Sequence, residues 1–224
     1  MQSLAALTPN VPGLDSQTRN LVRIAAAIAG SREAEIRTVM EQAVGCVDAG
    51  HVDEVLLQSC LFAGFPRALN AARIWRTVSG EPAPASETHA PALDSTQLVE
   101  QGTKTCARVY GESYVVLREN IRALHPALDA WMIADGYGKV LSRPYLDLKL
   151  RELCIVAACA ASMQQRQLHS HLHGALNCGA TPGEVAGVFD SLEGLVGSSD
   201  IERYRTLLSH ALSGRQPNPL TTTQ

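Results

Sequence analysis

Leu148-Lys-Leu-Arg-Glu-Leu-Cys-Ile-Val-Ala-Ala-Cys-Ala-Ala-Ser-Met-Gln-Gln-Arg-Gln-Leu-His-Ser-His-Leu-His-Gly-Ala-Leu-Asn-Cys-Gly179 reads as two helices in succession. The first spans about 146–162. Residues at i, i+3, i+4 and i+7 share a helix face, which sets Glu152 among Leu148, Ile155, Val156 and Cys159. A carboxylate in apolar company is costly unless it is paired. The bland alternative places Glu152 at the edge of the stripe, pointing into water. The second helix, 164–178, carries histidines at 169, 171 and 173. His171 shares its stripe with Gln164, Gln167, Leu168, Ala175 and Cys178, so it borders the apolar face. His169 and His173 have the spacing of a chelating pair, but catalytic zinc takes three protein ligands. No third ligand is in evident reach, and the expectation is no metal: two surface histidines flank a buried one. Packing the two helices together would bring His171 to Glu152. A carboxylate fixes the tautomer of the imidazole it accepts from, an arrangement suited to proton transfer near neutral pH.

The same helical grammar runs outward in both directions. No stretch alternates apolar and polar residues long enough for a strand. Asp15 or Ser16 caps a helix ending at Ala29, with Gly30 as its stop, and Ser31 opens another ending near Gly50. His51–Ala63 and a helix with Pro66 in its first turn follow. Between 81 and 95 three prolines and no apolar period mark a linker. Helices resume at about 96–110, 112–124 and 127–135, then a turn-rich stretch from Gly136 to Pro144. Beyond the two central helices come 182–196, opened by a Thr181/Glu184 capping box, and 199–213. Residues 214–224 read as a flexible tail. Arg19-Asn-Leu-Val-Arg-Ile-Ala-Ala-Ala corresponds to Arg151-Glu-Leu-Cys-Ile-Val-Ala-Ala-Cys, so two related helical repeats, 14–80 and 96–213, are expected.

Composition narrows the classes. The 224 residues are 46% hydrophobic and 18% charged, ample for a core. A formal charge of −3 argues against nucleic acid as a partner. The longest uncharged apolar run, Leu153 to Met163, covers 11 residues, and a membrane span needs about 20. The opening residues lack the basic and apolar regions of a secretory signal. Six cysteines, at 46, 60, 106, 154, 159 and 178, include no C-x-x-C pair. They read as reduced thiols, and a cytoplasmic protein is the expectation. No P-loop, dinucleotide fingerprint or nucleophile elbow is present, and no cofactor is expected.

Glu152, then His171 19 positions later, then Gly-Ala-Leu-Asn-Cys-Gly-Ala-Thr-Pro-Gly-Glu, resembles the carboxymuconolactone decarboxylase family, which shares its fold with alkylhydroperoxidase D. Ser142-Arg-Pro-Tyr-Leu-Asp-Leu-Lys-Leu-Arg-Glu-Leu fits the same pattern. In the first half, Glu54 to Ala68 is similar to the helix and Gly-x-Pro turn that close the family's domain. The resemblance implies an all-α, alkylhydroperoxidase D-like helical bundle, a fused pair of domains and a trimer or hexamer. Apolar residues on most sides of the helix Val52–Ala63 also favour a homo-oligomer. The peroxidase branch carries two cysteines where this chain has Gln164 and Gln167. Asn20 and Val39 stand where the second repeat has Glu152 and His171, so one site per chain, completed by both repeats, is expected.

The expected activity is that of a cofactor-free lyase acting on a small carboxylated, lactone-like substrate. His171 donates the proton, Glu152 orients it, Arg143 and Arg151 clamp the substrate carboxylate, and Gln164 and Gln167 line the site. The competing readings are a thiol peroxidase using Cys159 or Cys178 and a non-catalytic oligomeric binding module.

Overall fold

The computed structural model describes residues 13–86 and 93–213. The tail and part of the linker lie outside them. Eleven α-helices are found there: α1 (Ser16–Gly30), α2 (Glu33–Ala43), α3 (Ala49–Phe62), α4 (Phe65–Ser79), α5 (Ser95–Tyr110), α6 (Tyr114–Leu124), α7 (Pro126–Trp131), α8 (Leu148–Ala161), α9 (Gln165–Asn177), α10 (Pro182–Ser191) and α11 (Ser198–Ser213). A π-helix, Met132–Leu141, continues α7. The fold is all-α, with one isolated bridge, Glu193 to Val196, and no strand among the described residues.

α1 and α8 form the centre. Leu21, Val22 and Ile24–Ile28 of the first, and Leu150–Ala160 of the second, are buried. Their alanines, 25–27 and 157, 158 and 160, keep side chains short where the two helices pack together. Gly30 closes α1 against the end of α8, where a Cβ would lie 2.5 Å from the Ala161 carbonyl oxygen. α2, α3 and α4 pack around α1, and α9, α10 and α11 lie against or beside α8. Positive-φ glycines follow α2 and α9 (Gly45 and Gly179) and also α3 and α10 (Gly64 and Gly194).

Three sequence boundaries need correction. The helix opened near Ser31 stops at Ala43 rather than near Gly50, because Gly45 takes φ 74° and Asp48 caps a new helix by accepting from the His51 amide at 2.9 Å. The helix from Pro182 ends at Ser191, short of 196. The stretch from Gly136 is helical to Leu141 rather than turn-rich. Gly136 and Gly138 keep negative φ, and Gly138 serves close packing. A Cβ on it would run into the Leu98 carbonyl, and one on Gly102 of α5 would run into the Ile133 carbonyl. Backbone therefore meets backbone between α5 and the π-helix.

This contact predicts opposite outcomes for two glycines in similar settings. Gly102→Ala should lower stability by about 1–3 kcal/mol through overpacking. Gly136→Ala, whose methyl would meet only the Trp131 carbonyl oxygen at 3.9 Å, should be neutral or stabilise by up to ~1 kcal/mol. Urea unfolding midpoints at constant slope measure both.

Candidate functional site

Glu152 projects from the middle of α8 and is fully buried; His171, on α9, is 4% exposed. The turn between the helices, 162–164, includes Met163 in left-handed backbone at φ 56°. It returns the chain so that α9 packs on α8 and His171 Nδ1 lies 2.8 Å from Glu152 Oε2. An ionised carboxylate only accepts, so in that state Nδ1 carries the hydrogen and Nε2 is left for exchange. Gly174, one turn beyond His171, makes room for the carboxylate. A Cβ there would run into Glu152 Oε2 and lie 2.8 Å from Val109 Cγ1. Glu152 Oε1 is buried with no hydrogen-bond partner among the described residues.

The surroundings are neutral and mostly apolar. Phe62 of α3 stands edge-on to the His171 ring at 5.5 Å, and Tyr110 at the end of α5 at 6.2 Å. Tyr110 in turn meets Tyr137 of the π-helix, centroids 6.2 Å apart. Burial, then the nearby Glu152 charge, pushes the Cys159 and Cys178 thiols up to about 12. Burial likewise pushes Cys106 up to about 12. These thiols stay protonated, unlike the thiolates of reactive cysteines.

The other sequence candidates lie apart from this pair. Arg143 and Arg151, expected as substrate clamps, hold the chain's own Glu54. Arg143 grips it as a fork, Nε to Oε2 and Nη2 to Oε1 both at 2.8 Å, and Arg151 Nη2 reaches Oε2 at 2.7 Å. Arg151 also donates to the carbonyls of Leu146 and Arg143, each at 3.0 Å. Burial opposes the charge on Glu54, but hydrogen bonds from Arg143 and then Arg151 hold its carboxyl below the usual 4.5. Burial also pulls Arg151 below its ordinary value, against the support of Glu54. Gln164 and Gln167 are exposed at the start of α9. His169 and His173 stack edge to face at 5.0 Å, and no group of three metal-ligating His, Cys, Asp or Glu side chains occurs among the described residues.

Two surface hollows flank these groups. One, of about 440 Å³, is lined by Tyr110, Glu112, His169 and His173 among others. The second, of about 390 Å³, lies between α3 and α4 over Glu54 and Arg143, with Leu57, Phe65 and Leu69 on its walls. Glu152 and His171 line neither; Tyr110 is common to the first hollow and to the surroundings of His171. Phe62, Tyr110, Tyr137 and Glu54 escaped the sequence reading as site residues. For Glu54 the signal was present, a carboxylate beside Val52, Val55 and Leu56. Nothing local marks the aromatic three.

Glu54→Gln should cost about 3–5 kcal/mol near neutral pH, because the buried Arg151 and the part-buried Arg143 lose their counter-charge. The folded carboxyl lies below 4.5, so its contribution is present above that pH and is lost as pH falls through the folded value. The gap between wild type and variant in urea unfolding should therefore narrow in acid.

Residues 126–205 match the model of the carboxymuconolactone decarboxylase family, a window holding both Glu152 and His171 and stopping short of α1–α6. "Peroxisomal protein 2" of Schizosaccharomyces pombe (strain 972 / ATCC 24843) is 34% identical over 137 residues, covering 59% of this chain and 62% of that protein. The chain thus spans less than two thirds of that relative's length.

Proposed function

We propose that the protein is a carboxymuconolactone decarboxylase-like lyase that moves a proton through His171, held by Glu152, on a small carboxylated, lactone-like substrate. The observation that carries this reading is the buried 2.8 Å contact between the two side chains, within the family-matched window. In the reaction the bond to the substrate carboxylate breaks and carbon dioxide leaves. The electron pair remains in a conjugated enolate. His171 Nε2–H then protonates carbon, and water returns the proton to the ring. Glu152 keeps Nδ1 as donor and offsets the charge of the imidazolium. No cofactor enters this scheme. Substrate binding is assigned to neither Arg143 nor Arg151, because Glu54 takes both guanidinia.

The thiol peroxidase reading has less support: glutamines occupy positions 164 and 167, and Cys159 and Cys178 are buried thiols held protonated. Two further parts belong to the proposal. The first is descent from a duplication, supported by the paired positive-φ glycines and the central packing of α1 on α8. The second is a homo-oligomer, supported by exposed Leu57, Leu61, Phe65 and Leu69 on α3 and α4 and by Val115, Val116, Leu124 and Trp131 on α6 and α7. Free thiols fit a cytoplasmic setting, while the relative's name points to the peroxisome.

Purified protein assayed against carboxylated lactones, small keto acids and hydroperoxides, by carbon dioxide release and peroxide consumption, tests the reading. His171→Ala should lower lyase turnover by about 10²–10⁴, His169→Ala and His173→Ala should do little, and thiol alkylation should leave activity intact. Equal losses from all three histidine variants, or death on alkylation, would overturn it. Light scattering should give a multiple of the 24.0 kDa chain mass at micromolar concentration; a single-chain mass would refute the oligomer.

A further inference from the structure

We propose that Tyr110, packed edge-on against Tyr137, is a second working group of the Glu152–His171 site, donating a hydrogen bond to the substrate oxygen on which negative charge collects. This rests on the proton-transfer reading above and adds to it the group that receives the electrons' charge.

Position supports it first. Tyr110 stands edge-on to the His171 ring at 6.2 Å and also lines the hollow of about 440 Å³ beside His169 and His173. It therefore joins the surroundings of the buried pair to a surface hollow on the α5–α9 side. Tyr137 comes from another element, the π-helix. The glycine contacts Gly102–Ile133 and Gly138–Leu98 bring that helix backbone to backbone with α5, which carries Tyr110. π-Helical turns recur at functional sites.

The chemistry of the side chain supports it next. A purely packing role would be met by Phe, whereas a phenol adds a hydroxyl donor. The two rings meet edge to face, centroids 6.2 Å apart. Tyr137 is buried in the core, and Tyr110 is the member at the hollow, where its hydroxyl can meet a ligand. Burial raises the Tyr110 phenol to about 12, with the Glu152 charge adding to the rise. It remains a neutral donor throughout the physiological range. Fixed donors of this kind act on charge that develops in the transition state, whereas His171 acts on the proton. A rival acceptor for the Tyr110 hydroxyl hydrogen is Glu152 Oε1, which has no partner among the described residues.

Two probes separate these cases. Tetronic acid is a small lactone ionised at its enol oxygen near neutral pH; butenolide is the corresponding unsaturated ring without that oxygen. Calorimetric titration of the full chain should show tetronate bound more tightly than butenolide. Tyr110→Phe should weaken tetronate by about 10- to 100-fold, the range for a hydrogen bond to a charged group, and leave butenolide within about twofold. Tyr137→Phe should weaken tetronate by less. The double variant Tyr110→Phe/Tyr137→Phe, which removes both hydroxyls, should reproduce the Tyr110→Phe loss, with folding checked by thermal melting. Equal weakening of both probes means packing and overturns the proposal. So does unchanged tetronate affinity, including the case where only the His171 titration, followed by NMR, moves because the proton belongs to Glu152. Failure of the wild type to bind tetronate also overturns it. None of these results alters the His171→Ala comparison, which judges the proton-transfer reading separately.

Discussion

The grip of Glu54 on Arg143 and Arg151 is the constraint on which the site's geometry depends. Arg151 and Glu152 are neighbours on α8, separated by about 100° around the helix axis. Once Arg151 is tied to α3 through Glu54, the rotation of α8 is settled. Glu152 must then face another direction, which α9 fills with His171. Glu54 itself is in α3, and two turns further along the same helix Phe62 reaches the His171 ring. One helix of the first half therefore supplies both the anchor that orients the carboxylate and a wall of the site it forms.

Close backbone approach is the second organising feature. Small residues occur wherever two elements must meet more tightly than side chains allow. Gly30 lets α1 end against Ala161, Gly102 and Gly138 let α5 meet the π-helix, and Gly174 admits the Glu152 carboxylate. The last couples packing to chemistry, since the residue that leaves room for Oε2 lies one turn from the histidine it contacts.

Fold class was legible because helix caps and 3.6-residue periods are local signals. Asp15, Asp48, Asp94, Asp147 and Thr181 each cap a helix with a side-chain oxygen. The π-helix was not legible: its glycines read as turn formers, and only the tertiary contact with α5 shows that they serve packing. The Glu152–His171 juxtaposition could be read from two adjacent helical stripes and their spacing. The partners of Arg143 and Arg151 could not, because Glu54 lies 89 and 97 positions away in sequence. Phe62, Tyr110 and Tyr137 were hidden for the same reason. Each is an ordinary apolar residue of its own helix and gains meaning only where three helices converge.

The unpartnered Oε1 of Glu152 carries a thermodynamic consequence. A buried acceptor left without a donor costs on the order of 1–3 kcal/mol, a substantial fraction of a domain's net stability of about 5–15 kcal/mol. On the other central helix, the buried Asn20 donates its amide to the Ser16 carbonyl at 2.9 Å. The buried Oε1 is thus a locally unfavourable group that the packing of α8 must offset elsewhere.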